Sequence, residues 1–159
     1  MNFRKSRNIV LFSLACWVWG AAALSQPATA QTAPFVEVRS SHDFETTLSR
    51  LQAAMRQNKL GLVTRASAQQ GAASLGLKIP GNQVWGLFAP RYAVRMLKAS
   101  VPAGFEAPVR LYIVEAPDGH VTVRYRKPSV VFGPYKHPDL DAMAKELDAL
   151  FENIAGAVR

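Results

Sequence analysis

The chain has 159 residues, enough for one domain with a modest core, and carries 49% hydrophobic residues, a net charge of +8, three histidines and one cysteine. A single cysteine excludes an intrachain disulfide. The positive balance favours anionic surfaces or ligands.

The N-terminus accounts for part of this composition. "MNFRKSRN" holds Arg4, Lys5 and Arg7 and no acid, and sixteen apolar or small residues follow from Ile9 to Leu24. "SQPATAQ" comes next, in which Ala28-Thr29-Ala30 has the small-x-small form that a signal peptidase requires. Basic, apolar, small-residue site is the order of a secretory signal peptide, with cleavage expected between Ala30 and Gln31. Sixteen residues are short against the roughly 20 a spanning helix needs. A lipid anchor on Cys16 fits poorly, because Ser13 stands where such motifs carry Leu and the stretch after the cysteine is apolar. Cleavage removes three cations, no acid and Cys16, leaving 129 residues with 16 Lys and Arg against 11 Asp and Glu, a net +5. The mature chain then has no thiol for a disulfide, a nucleophile or a metal site. The expected location is periplasmic or secreted, which argues against nucleic acid as a partner and leaves no membrane attachment after cleavage.

Along the mature chain, "FVEVR" alternates with Val36 and Val38 on one side, the pattern of a half-buried strand. In "SSHDFETTLSRLQAAMRQNKL" the period changes. Phe44, Leu48, Leu51 and Met55 share one helical face, with Ser41 as the expected N-cap and Asp43 and Glu45 in the first turn. A second strand is expected over Leu60 to Arg65, a short helix from Ala68 to Leu75 ended by Gly76, and a turn at Pro80-Gly81-Asn82. "VWGLF" reads as a third strand, and "RYAVRMLKASVP" as a helix beginning at Pro90. Two further strands, Val109 to Glu115 and Val121 onward, form a hairpin. "SVVFGPYKH" reads as a loop. A last helix starts at Pro138, with Asp139 and Asp141 in its first turn and a stripe of Leu140, Met143, Leu147, Leu150, Phe151, Ile154 and Val158. The order β-α-β-β-β-β-α, with short helices in the connections, predicts an α+β two-layer sandwich: an antiparallel sheet with helices on one face.

The hairpin carries the one charged surface that stands out. Pro117-Asp118-Gly119 suits a three-residue loop, a type I turn followed by a left-handed glycine. That loop pairs Ala116 with His120, and then Leu111 with Tyr125, Ile113 with Val123 and Glu115 with Val121 on a core face. Tyr112 meets Arg124 and Arg110 meets Arg126 on the other face. A two- or four-residue loop mixes arginines with leucines on one side, which would bury unpaired charge. Arg110, Tyr112, Arg124 and Arg126 therefore form the candidate site, either as a solvated face or as a place for carboxylate, phosphate or a second copy of the chain.

Other chemistry is thin. His42, His120 and His137 form no metal-ligand pair, and no nucleophile elbow, Walker loop or dinucleotide fingerprint occurs. Arg91, Arg95 and Lys98 share a helix face and read as a solvated face. Asp139, Asp141 and Glu115 suit helix and strand ends better than acid–base pairing.

"GLKIPGNQVWGLFAP", "RMLKASVPAGFEAPVRLYIVEAPDGHVTVRYRKP" and the amphipathic terminal helix resemble the domain of unknown function 302, from about Phe35 to Val158. The Pro108 to Leu111 segment, the Asp-Gly turn and the Val121 to Pro128 segment carry the likeness. The resemblance implies a TATA-binding-protein-like fold, in which the first strand lies beside the last and sets Glu37 near Arg124 and Arg126. It does not imply DNA binding. Many members carry Asp-His where this chain has Ser67-Ala68, and Asn-Pro where it has Ala89-Pro90. Any polar chemistry of that Asp-His pair is missing here.

The sequence thus favours an exported, non-catalytic binding or interaction module using the open sheet face, with a homodimer or a small anionic ligand as partner and no cofactor. The alternatives are an enzyme with an unrecognised site, for instance beside "RASAQQ", and a haem or metal carrier.

Overall fold

The alternation of "VEVR" fixes the first strand: in β1, Val36–Arg39, Val38 is buried and Glu37 and Arg39 are exposed. The computed structural model describes residues 35–159. The expected signal sequence, its cleavage point between Ala30 and Gln31, and Cys16 lie outside the described residues.

Helix α1, Phe44–Gln57, buries the predicted face of Phe44, Leu48, Leu51 and Met55. Its N-cap is Asp43, not the expected Ser41. The Asp43 carboxylate accepts from the Thr46 N–H at 2.8 Å and the Thr46 hydroxyl at 3.0 Å, and these bonds hold its pKa below the usual aspartate value. Ser41 instead donates its N–H to the Val158 carbonyl at 2.9 Å, and the Ser40 and Thr47 hydroxyls pair at 2.7 Å.

Strand β2, Gly61–Ser67, runs two residues past the expected end, and β3, Asn82–Phe88, begins two residues early. Between them α2, Ala68–Ser74, is capped by Ser67 and ends before Gly76, whose φ of +74° suits glycine. Helix α3, Pro90–Ala99, starts on its proline. Strands β4, Val109–Glu115, and β5, Val121–Tyr125, form the hairpin. The segment read as a loop is helical: α4, Pro128–Phe132, is followed by a 3-10 turn over Gly133–Tyr135. Asp148 organises it from a distance, accepting the Ser129 N–H at 2.9 Å and its hydroxyl at 2.5 Å. Asp148 belongs to α5, Pro138–Gly156, whose predicted stripe is buried apart from a half-buried Leu150.

The five strands lie in the order β1-β5-β4-β3-β2, every pair antiparallel. One face, with Val38, Trp85, Leu111, Ile113 and Val123, packs on Leu51, Met55, Met143, Phe151 and Ile154 of α1 and α5 in a single core. The Tyr125 and Phe151 rings meet at 5.4 Å. The fold is the expected α+β two-layer sandwich. The second sheet face carries the alternate residues, among them exposed Thr64, Ala66, Arg110 and Arg124. No helix among the described residues is long and apolar enough to cross a membrane.

Candidate functional site

The turn sets the site. Gly119 takes φ +84° and donates to the Ala116 carbonyl at 2.9 Å, while the Ala116 N–H bonds His120 at 2.8 Å. The predicted register follows, with Leu111 opposite Tyr125, Tyr112 opposite Arg124, Ile113 opposite Val123 and Glu115 opposite Val121. The ladder stops at Leu111 and Tyr125, so Arg110 and Arg126 are not a ladder pair as expected. The chain turns at Lys127 into α4, and Arg126 lies just beyond the strand.

Arg110, Tyr112, Arg124 and Arg126 nonetheless line one groove of about 330 Å³ on the open face. Phe35, Val84, Pro108 and Val131 give it apolar walls. The three arginines differ in their surroundings. Arg124 donates to the Glu37 carboxylate at 2.5 Å and lies 5.5 Å from the centre of the Phe35 ring, so the partner expected from β1 is present. Arg110 and Arg126 make no hydrogen bond or ion pair with a side chain or backbone among the described residues. The Tyr112 hydroxyl accepts from the Asn82 amide at 2.7 Å, which fixes the ring on the floor. Glu106, the one acid lining the groove among the described residues, accepts from the Tyr135 hydroxyl at 3.0 Å. Desolvation, and then this hydrogen bond, push the Tyr135 pKa up.

The arrangement offers two unpartnered guanidinium groups beside an apolar surface. Guanidinium donors match carboxylate and phosphate oxygens in pairs, and a low-dielectric wall strengthens such contacts.

Arg91, Arg95 and Lys98 are exposed, as expected of a solvated face, and the two arginines also make bonds to other elements. Arg91 donates to the carbonyls of Lys59 and Asn58 at the end of α1, at 2.6 and 3.1 Å, where a helix leaves acceptors unsatisfied. Arg95 grips Glu146 of α5 with two bonds of 2.6 and 2.8 Å. Ser67, beside "ASAQQ", accepts from the Gln70 N–H as the cap of α2, and no residue of α2 is buried. His42, His120 and His137 stand on separate segments. His120 contacts Arg39 at 2.5 Å. No group of three or more His, Cys, Asp or Glu side chains suited to a metal occurs among the described residues.

Phe35, Val84, Pro108 and Val131 escaped the sequence reading, because their place on the groove depends on strand order and on α4. One signal was available. A glycine inside a strand marks close backbone approach, and Gly86 of β3 lies directly under Pro108 and Thr64.

The family model described as domain of unknown function DUF302 matches residues 36–158. The crystal structure of an uncharacterized conserved protein DUF302 from Bacillus stearothermophilus superposes with a TM-score of 0.72 at 19% identity, covering 80% of this chain and 100% of that one. At that identity the likeness is one of fold. No curated protein matches the chain.

Proposed function

The chain belongs to the family of domain of unknown function DUF302, and from that premise we propose that it is an exported, non-catalytic binding module that holds an anionic ligand on its open sheet face. Family membership brings the fold but no activity. One observation carries the reading: Arg110 and Arg126 line the same groove and have no acidic partner among the described residues. A carboxylate or phosphate in the groove would accept hydrogen bonds from these guanidinium donors. Tyr112 and Phe35 supply flat contact area, and the groove volume of about 330 Å³ suits a small ligand head rather than a large cofactor. Export rests on the N-terminal pattern that ends at Ala30 and Gln31.

The test is an NMR titration of the mature chain, from Gln31, with butanoate and with inorganic phosphate. We expect shifts centred on Arg110, Tyr112, Arg124 and Arg126, and binding weakened at least tenfold in the Arg110→Ala/Arg126→Ala variant with its melting temperature unchanged. The weakening corresponds to the roughly 1.5–3 kcal/mol of a hydrogen bond to a charged group. Shifts scattered over the surface, or equal binding by the variant, remove the reading.

A further inference from the structure

A second groove adjoins the first. It has a volume of about 460 Å³ and is lined by Thr64 and Ala66 of β2 and by Phe105 and Ala107. The two grooves share Val84, Glu106, Pro108 and Arg110. Together they cross all five strands, from Phe35 beside β1 to Ala66 on the opposite edge. Four strand spacings of about 4.8 Å give a trough about 19 Å long.

Its two ends differ in chemistry. The β5 end carries Arg124 and Arg126. The β2 end carries Thr64, Ala66, Ala107 and Phe105, the last of which is 89% exposed, and also Arg65, whose guanidinium lies over the Trp85 ring at 5.2 Å. Val94 and Leu97 of α3 and Val101 after it are exposed as well. The turn that carries Phe105 rests on α3, because a side chain on Gly104 would meet Leu97 Cδ2 at 3.2 Å. Phe105 lines the trough itself, so its exposed ring offers contact area to an apolar chain lying there. Arg110 sits between the two halves and can turn its guanidinium toward the β5 end while its stem lines the middle.

We infer that the ligand is a single-chain anionic amphiphile of the long-chain carboxylate class, lying across the sheet. Its head sits at Arg110 and Arg126, and its tail runs over Val84 and Pro108 to Ala66 and Phe105. The inference rests on the anion-binding reading above and adds the tail. A short anion leaves the second groove and Phe105 without a role. A neutral chain leaves the arginines unpaired.

The experiment is calorimetric titration of the mature chain with butanoate, dodecanoate and dodecanol, the amphiphiles kept below their aggregation concentrations. Burying methylenes predicts roughly a two- to fourfold gain for each one that enters the trough, so dodecanoate should bind at least about a hundredfold tighter than butanoate. Dodecanol should bind at least about tenfold more weakly than dodecanoate. Ala66→Gln changes an exposed residue at the tail end, and should weaken dodecanoate severalfold while leaving butanoate unchanged. Dodecanoate no tighter than butanoate, or indifferent to Ala66→Gln, overturns the amphiphile while the anion reading stands. No binding by either carboxylate, or dodecanoate binding unaffected by Arg110→Ala/Arg126→Ala, overturns both.

Discussion

Gly86 shows what a single hydrogen atom can decide. A Cβ at this position would lie 2.6 Å from Pro108 Cγ and closer still to the Thr64 hydroxyl. Both neighbours sit on the open face, so Thr64 and Pro108 can pack this closely over β3 only because it has no side chain there. Gly86→Ala should therefore cost about 1–3 kcal/mol, the usual range for overpacking a fitted site, and should also disturb butanoate binding. Urea denaturation measures the first effect. An unchanged midpoint would mean that Pro108 does not rest on β3. Inside the sequence "VWGLF" the glycine announces a close approach without saying to what. Thr64 and Pro108 become its neighbours only once β2 and β4 flank β3.

At the scale of elements, legibility follows how local the cause is. The β4–β5 register was readable because Pro117, Asp118 and Gly119 fix it within a few residues. The faces of α1 and α5 were readable from their own periodicity. Helix α4 was not, since five residues with a proline start look like a loop until Asp148 of α5 reaches Ser129. The exposed face of Arg91 and Arg95 was readable, but their partners were not, since Asn58, Lys59 and Glu146 lie on other elements. The α3–α5 join also makes a prediction about acid. The hydrogen bonds from Arg95 hold the Glu146 pKa below the usual glutamate value. A carboxylate whose pKa is lower folded than unfolded stabilises the fold above its ordinary range, about pH 4, and loses that contribution as the pH falls through the folded value. Asp43 at the start of α1 acts in the same direction. Thermal melts between pH 7 and pH 3 should show stability falling at the acid end, with a shallower fall in Glu146→Gln. An equal slope in both proteins would detach the pH dependence from this pair.

For the molecule as a whole, the open face bears on self-association. Pairing two copies through it would bring two clusters of arginine together, each with only Glu37 and Glu106 nearby as acids. Sedimentation equilibrium of the mature chain should therefore give a monomer at low and at high salt. A dimer that Arg110→Ala/Arg126→Ala dissolves would assign the face to a second copy.

Strand order has one more consequence, in time rather than in space. Among the described residues β1 has a single neighbour, β5, with Val36 opposite Tyr125 and Arg39 opposite Thr122. A nascent polypeptide that has reached His120 still holds no partner for its first strand, and Ser41 waits longer, for Val158. Contacts so distant along the chain close late and slow the search for the native state. For a protein proposed to be exported, that delay leaves the first strand unpaired, and the polypeptide easier to thread, until β5 has been made.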